Sequence, residues 1–254
     1  MIESLQNDKI KFLYRLNDDN RFRKKSKIVV VEGKQENERA LQFGFEIIEY
    51  FLCENIFGDD LPKGKINLVN EKVYEKIAYR GSTEGIVGLY KTPEKSLMDF
   101  LPKENSSVII VEGIEKPGNL GAILRSCEAF GIDLLIVAES KTDLYNPNVI
   151  RSSVGCLFGM NVFSCTNQEA FLFLQKNNIK TFSTYMSKEA KEIQNINLRE
   201  SVALLFGTEH SGISDFWLDK SENIIIPMVG TIDSLNLSNA VAIASYEILR
   251  QKKA

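Results

Sequence analysis

Short runs of apolar residues without a polar interruption recur through the C-terminal part of this 254-residue chain. Val108-Ile-Ile-Val-Glu112 is the clearest, and residues 134–138 and 202–206 repeat it. A strand that is apolar at every position is buried on both faces, as in a parallel sheet covered by helices on each side. Segments of helical pattern at 120–130, 148–154, 169–176 and 236–252 separate these runs, and 160–163, 181–184 and 223–226 read as further strands. The alternation predicts an α/β domain with a parallel sheet. Ligands of such sheets bind in the crevice at the carboxyl ends of the strands, so the turns after the strands are the places to look for function.

The N-terminal part reads as a smaller α/β unit. Strands are predicted over 28–31, 46–53, 66–69 and 85–90, with helices over 35–43 and 71–79. Ala40, Leu41 and Phe43 are expected to face the core from the first helix. Residues 91–107 hold two prolines and many polar side chains, which marks a connection, with a short helix over 96–101. The expected division is therefore a first domain over 1–95, a linker over 96–107 and a second domain over 108–254.

Apolar content of 44% and charged content of 26% belong to an ordinary globular protein. No apolar run reaches the ~18 residues that would span a bilayer. The opening Met1-Ile-Glu-Ser-Leu-Gln-Asn-Asp has no basic region followed by an apolar stretch, so no secretory signal is expected and the expected location is the cytoplasm. Cys53, Cys127, Cys156 and Cys165 form no C-x-x-C pair, and the chain has one histidine. Reduced thiols and no metal site are the expectation. A net charge of −3 argues against a protein that coats nucleic acid. The basic residues are nonetheless clustered, with Arg21-Phe-Arg-Lys-Lys-Ser-Lys27 the densest run. It reads either as a solvated connector before a strand, or as a phosphate-contacting patch with Phe22 available for stacking.

Neither G-x-G-x-x-G after a strand nor G-x-x-x-x-G-K-[ST] is present, so an ordinary dinucleotide enzyme or P-loop NTPase is not expected. Three other segments lie where a strand pattern gives way to a turn or helix. In Asn119-Leu-Gly-Ala-Ile-Leu-Arg125, Asn119 is placed to cap a helix starting at Leu120, and Gly121 and Ala122 permit close approach. The plain alternative is a capped helix with an exposed arginine. In Phe206-Gly-Thr-Glu-His-Ser-Gly212 a buried strand ends in glycine, and a second glycine follows closely, as where backbone approaches a ligand. Glu209 can orient an arginine through a bidentate pair, while His210 reads as a surface loop residue. In Ile226-Pro-Met-Val-Gly-Thr-Ile-Asp-Ser-Leu-Asn-Leu-Ser238 a proline breaks the strand end, and Ser234, Asn236 and Ser238 suit both capping and ligand contact.

Together these segments resemble the three motifs of the SpoU (TrmH-like) RNA ribose 2′-O-methyltransferases of the SPOUT superfamily. Val31-Glu-Gly33 with its following helix, and Glu84-Gly-Ile-Val-Gly88, are similar to the start and end of the substrate-binding domain often fused ahead of that catalytic domain. The resemblance implies an L30e-like N-terminal domain and a parallel-sheet catalytic domain tied into a C-terminal trefoil knot, a rare exception to unknotted chains. It implies a homodimer, and S-adenosylmethionine held in the knot by Gly207, Ile226, Met228, Leu235 and Leu237. Asn119, Arg125, Glu209, Ser234 and Asn236 would form the catalytic set. A base-like role is assigned in the family to the arginine matching Arg125. A guanidinium almost never deprotonates, so the expectation here is that Arg125 holds the phosphate beside the target ribose. Glu209 would orient Arg125, and His210 would at most contact RNA. Arg21, Arg23, Lys24, Lys25 and Lys27 are the candidate RNA contacts. The expected activity is methyl transfer to a ribose hydroxyl of 23S ribosomal RNA. Transfer RNA as substrate, or an RNA-binding protein without catalysis, are the alternatives.

Overall fold

The structure is a computed structural model describing residues 1–79, 84–185, 187, 189–208 and 212–253. Its first part runs α1 (Asp8–Asp18), α2 (Asn20–Ser26), β1 (Ile28–Glu32), α3 (Lys34–Gln42), β2 (Ile47–Leu52), β3 (Ile66–Leu68), α4 (Glu71–Ile77) and β4 (Ile86–Lys91). After a 3-10 turn at Leu97–Asp99 come β5 (Ser107–Glu112), α5 (Pro117–Ala129), β6 (Leu134–Ala138), α6 (Pro147–Ser152) and α7 (Cys156–Gly159). The remainder is β7 (Val162–Cys165), α8 (Asn167–Lys176), β8 (Lys180–Thr184), β9 (Lys191–Glu192), β10 (Val202–Phe206), β11 (Glu222–Ile225) and α9 (Leu237–Lys253).

Two compact units result, and neither is continuous in sequence. One comprises Met1–Glu94 with Asp143–Gly159, the other Lys95–Thr142 with Met160–Ala254. The division expected at the 96–107 linker thus lacks one piece: α6 and α7, read as part of the second domain, group with the first unit.

In the first unit the sheet order is β1-β4-β2-β3, with β4 antiparallel to β1 and β2, and β3 parallel to β2. Asn7 caps α1 by accepting from the Lys9 amide, and Ile10, Leu13 and Leu16 turn inward. They share a core with Phe51, Val87 and Leu89 of the sheet and with Val73, Tyr74 and Ile77 of α4. Sequence reading assigns no element to residues 1–27: the i, i+3, i+6 spacing of Ile10, Leu13 and Leu16 signals α1 and is missed, whereas α2 has a single inward residue, Arg23, and gives no apolar signal. Helix α3 buries Glu36, Asn37 and Ala40, whereas Leu41 and Phe43, expected in the core, are 46% and 47% exposed. The buried Asn37 amide donates to the Val31 and Gly33 carbonyls, at 3.0 and 2.6 Å, so polar bonding sets this face.

The segment Asp143–Gly159 enters the same unit through apolar and charged contacts. Val149, Ile150, Leu157 and Phe158 are buried, and the Phe158 ring meets Phe45 edge-on at 4.8 Å between centroids. The Arg23 Nε donates to Asp143 Oδ2 at 2.8 Å, and both side chains are nearly enclosed, at 3% and 6% exposure. Arg23 Nη1 also donates to the Leu16 and Asn17 carbonyls. A buried charge needs such pairing and hydrogen bonding to be tolerated.

The second unit is built on a seven-stranded sheet of order β7-β6-β5-β10-β8-β11-β9, with every neighbouring pair parallel. The chain steps one way from β5 through β6 to β7, then returns on the other side of β5. Strand β10 lies between β5 and β8. Val108 and Ile110 face a core with Phe173, Leu174 and Trp217, and alternation sends Ile109 and Val111 to the opposite face. Helix α9 packs on α5 and against β5 and β10. None of the described helices is long and apolar enough to cross a membrane.

Candidate functional site

Three strand ends define the site. Strand β10 is buried throughout, and Gly207 follows it. Thr208 and Gly212 then bond to each other through both main-chain pairs, at 2.9 and 3.2 Å, which closes a tight loop. A Cβ on Gly207 would come within 2.0 Å of the Gly212 carbonyl carbon, so only glycine permits this closure. Strand β11 ends at Ile225, and Pro227 ends its continuation, because proline has no N–H for a ladder. The chain then leads through Ser234 and Leu235 into α9.

These ends enclose a cavity of about 660 Å³, lined by Thr184 and Tyr185 at the end of β8, by Gly207 and Thr208, by Ile226, Pro227 and Met228, and by Ser234, Leu235 and Leu237. Gly207, Ile226, Met228, Leu235 and Leu237, singled out by motif position, therefore lie in one wall system, and Ser234 joins them. Its described lining contains the carboxylates Glu192 and Asp233 and no lysine, arginine or histidine. The main-chain groups of Met228 and Leu235 have no backbone partner among the described residues. The Thr184 hydroxyl is engaged, donating to the Leu205 carbonyl at 3.1 Å. Such a cavity offers apolar walls, main-chain donors and acceptors, and two carboxylates among its described lining residues. That combination fits a flat heterocycle attached to a cationic group.

The other motif residues are placed differently. Asn119, Arg125 and Asn236 do not line the cavity. Asn119 is not the cap of α5: the helix begins at Pro117 with Lys116 before it, and Asn119 sits in the first turn. Proline supplies the fixed φ that the first helical position favours, and this moves the start upstream. Arg125 is exposed on α5, while Leu120, Ile123, Leu124 and Cys127 of that helix are buried. Asn236 precedes α9, and its Oδ1 accepts from the Ser238 amide at 2.9 Å and the Ser238 hydroxyl at 2.6 Å, so capping employs it directly. Glu209 and His210 lie outside the described residues.

One residue of this region escapes the motif pattern. Glu112, 4% exposed at the end of β5, accepts from the Ser214 amide at 2.8 Å and the Ser214 hydroxyl at 2.6 Å, and also from the Asn167 amide. Trp217 Nε1 donates to Asn167 Oδ1 at 3.1 Å. Glu112 thereby ties the strand end to the segment that leaves the Thr208–Gly212 loop. A polar residue closing an otherwise apolar run is the signal for it in the sequence.

Cys127 and Cys165 are poor nucleophiles. Burial pushes Cys127 up to about 12, and burial with the nearby Glu169 and Glu139 does the same for Cys165. All four cysteines are free, and no described group of side chains could hold a metal ion.

Of the candidate RNA contacts, Arg23 is withdrawn: its guanidinium is enclosed and paired with Asp143. Lys27 pairs with Glu94 at the surface. Arg21, Lys24 and Lys25 are exposed on α2. Phe22 is half-buried, with the Phe12 ring edge-on at 5.4 Å and the Arg15 guanidinium 4.0 Å over its face.

A parallel sheet with a cavity of ligand size at the carboxyl ends of its strands defines an α/β protein whose binding site lies where such sheets hold small molecules. Sequence comparison sharpens this: the SpoU rRNA Methylase family profile matches residues 106–246, and the chain belongs to that family. An MRM3-like substrate binding domain profile matches residues 7–88. The 23S rRNA (guanosine(2553)-2′-O)-methyltransferase RlmP of Bacillus subtilis is 26% identical over 250 residues, covering 97% of this chain and 98% of that protein. A crystal structure of an RNA 2′-O ribose methyltransferase is 35% identical and superposes with a TM-score of 0.85, covering 100% of this chain and 99% of the other. The AdoMet-bound rRNA methyltransferase of Sinorhizobium meliloti, 24% identical, shares the fold with a TM-score of 0.88 over 98% of this chain and 97% of its own.

Proposed function

We infer that the protein transfers a methyl group from S-adenosylmethionine to a ribose 2′-hydroxyl of RNA, with 23S ribosomal RNA as substrate. The observation that carries the reading is the cavity at the ends of β8, β10 and β11, which gathers the second and third motif segments and has Glu192 and Asp233, with no lysine, arginine or histidine, among its described lining residues. When bound there, S-adenosylmethionine supplies an electrophilic methyl group on a positively charged sulfur. Gly207, Ile226, Met228, Leu235 and Leu237 would hold it, and their glycine, proline-flanked and apolar character suits main-chain recognition.

A ribose hydroxyl is a poor acid, so the chain has to align it and assist proton loss. In this reading Arg125 grips the phosphate next to the target ribose, and Glu209 orients Arg125. Asn119, Ser234 and Asn236 position the ribose and the arginine by hydrogen bonds. Water or the phosphate accepts the proton, because the guanidinium remains charged.

A trefoil knot of the C-terminal segment belongs to the same proposal. Supporting it are the insertion of β10 between β5 and β8, and the return of residues 226–237 to the cavity that Gly207 lines. An L30e-like fold for the N-terminal unit, a homodimer, and a cytoplasmic location, where ribosomal RNA is found, are parts of it as well. The test is a map of ribose methylation across total RNA, with and without the gene, joined to transfer of labelled methyl groups by the purified protein. One missing 2′-O-methyl mark in 23S RNA is the expected result. An unchanged map together with no transfer to RNA in vitro would sink the proposal.

A further inference from the structure

The basic run is legible in the sequence as charge, but only the fold assembles it into a surface. Helix α1 turns Ile10, Leu13 and Leu16 inward, which leaves Lys11, Phe12, Tyr14 and Arg15 outside. Helix α2 turns Arg23 inward, which leaves Arg21, Lys24 and Lys25 outside. Two aromatic–cation pairs punctuate these faces. The Arg15 guanidinium lies 4.0 Å from the Phe22 ring centroid, and the Lys76 Nζ of α4 lies 4.4 Å from the Tyr14 ring. Phe12 and Tyr14 are 36% and 43% exposed, and the Arg15 side chain is 61% exposed.

The geometry matters because an arginine held against a ring has already given up much of its rotamer freedom. Its donors stay open to solvent, since the side chain is largely exposed. Unpaired bases stack on aromatic rings and on guanidinium planes, and the phosphates of the same strand meet neighbouring cations. Three acids of these helices stand at helix starts: Asp8 and Glu71 in first turns, and Asp19, which caps α2 and pairs with Arg15 at 3.7 Å. Asp18 and Glu75 are the carboxylates left on these faces. A second copy of the chain is a poor occupant, since a two-fold contact would set the same cationic face against itself.

We propose that the outward faces of α1 and α2, with Lys76 of α4, form a platform for single-stranded RNA, in which Tyr14, Phe12 and the Arg15–Phe22 stack receive unpaired bases. Lys11, Arg21, Lys24 and Lys25 hold the phosphates. The proposal rests on the reading of the protein as an RNA methyltransferase and identifies a surface of the N-terminal unit that would hold its substrate.

The experiment uses the full chain and two variants of exposed residues. The first is Lys11→Gln with Lys24→Gln and Lys25→Gln, the second Phe12→Ser with Tyr14→Ala. Circular dichroism and affinity for S-adenosylmethionine establish that each is folded. The probes are oligouridine, polyglutamate and a 23S RNA transcript, titrated over a range of salt. The charge variant should bind both RNAs about tenfold more weakly, with a salt dependence flattened by about 0.7 in log–log slope for each phosphate no longer neutralised. The ring variant should bind oligouridine at least about fivefold more weakly, as expected for removal of ~1 kcal/mol of stacking, with its slope unchanged. Wild-type RNA affinity in both variants would overturn the platform, as would tighter binding of polyglutamate than of oligouridine, which would mark the face as a protein-docking surface. Methyl transfer to the 23S transcript is read in parallel. If the wild-type chain transfers methyl groups while the variants keep full affinity, the platform alone fails. If the wild-type chain transfers none, the enzymatic reading fails, and the affinities still judge the platform.

Discussion

The cavity of the second unit is walled by main chain and apolar side chains, whereas the face of α1 and α2 is built from the ends of long cationic side chains. Both depend on local sequence, but in different ways. A main-chain wall is fixed by where strands stop, so Gly207 and Pro227 matter for the atoms they lack. A cationic face is fixed by helix phase, so neighbours in one basic run can have opposite roles. Arg23 is enclosed and structural, while Lys24 and Lys25 are exposed.

The sharpest break of the comparison is Arg23→Ala. It would leave Asp143 buried without its partner, and the expected loss of stability is about 3–5 kcal/mol, measured by denaturant unfolding. A loss like that of an exposed lysine would return Arg23 to the solvent face. Next in size is Arg125→Ala, which lies outside the cavity wall. It should lower methyl transfer by ~100-fold or more, with S-adenosylmethionine affinity within a few fold by calorimetry. Joint loss of both would place Arg125 in cofactor binding. Gly207→Ala inverts that pattern: the added Cβ would force the Thr208–Gly212 loop open and weaken S-adenosylmethionine binding about tenfold, or about 1.4 kcal/mol. Unaltered affinity would show that the loop closure does not shape the cavity.

The smallest effect concerns a charged cluster of the N-terminal unit. Burial pushes the Glu49 carboxyl up, but hydrogen bonds from Lys9, Asn67 and Lys65 outweigh it and hold the group below its ordinary 4.5. A carboxyl depressed on folding adds stability above its unfolded pKa and loses it as pH falls through the folded value. Glu49→Gln should therefore destabilise by about 1 kcal/mol near neutrality, and the gap to wild type should close in acid. A gap that is constant with pH would assign the loss to packing.

The middle of the second unit's sheet is open to sequence reading, because β5, β6 and β10 are apolar almost throughout. The predicted bounds 134–138 and 202–206 are those of β6 and β10. Prediction weakens where polar residues are buried. Helix α3 turns Asn37 inward and leaves Leu41 and Phe43 out, against any hydrophobic count. Helix α2 hides an arginine for the sake of a partner 120 positions later, which no local window contains. Glu112 is the same kind of case, since its partners Asn167 and Ser214 lie in other segments. In the site, glycine and proline advertise the main-chain wall. The true start of α5 is hidden because Pro117 satisfies the first helical position as well as Asn119 satisfies a cap.

The discontinuity of the N-terminal unit bears on the order in which the protein is made. Synthesis delivers residues 1–94 first, and domains commonly fold as they emerge from the ribosome. Here Arg23 and the exposed ends of that core wait for Asp143 and Phe158, which are translated only after β5, α5 and β6. The unit begun earliest cannot be completed until part of the other has been synthesised, and an arrested nascent chain ending before Asp143 should present that core to chaperones.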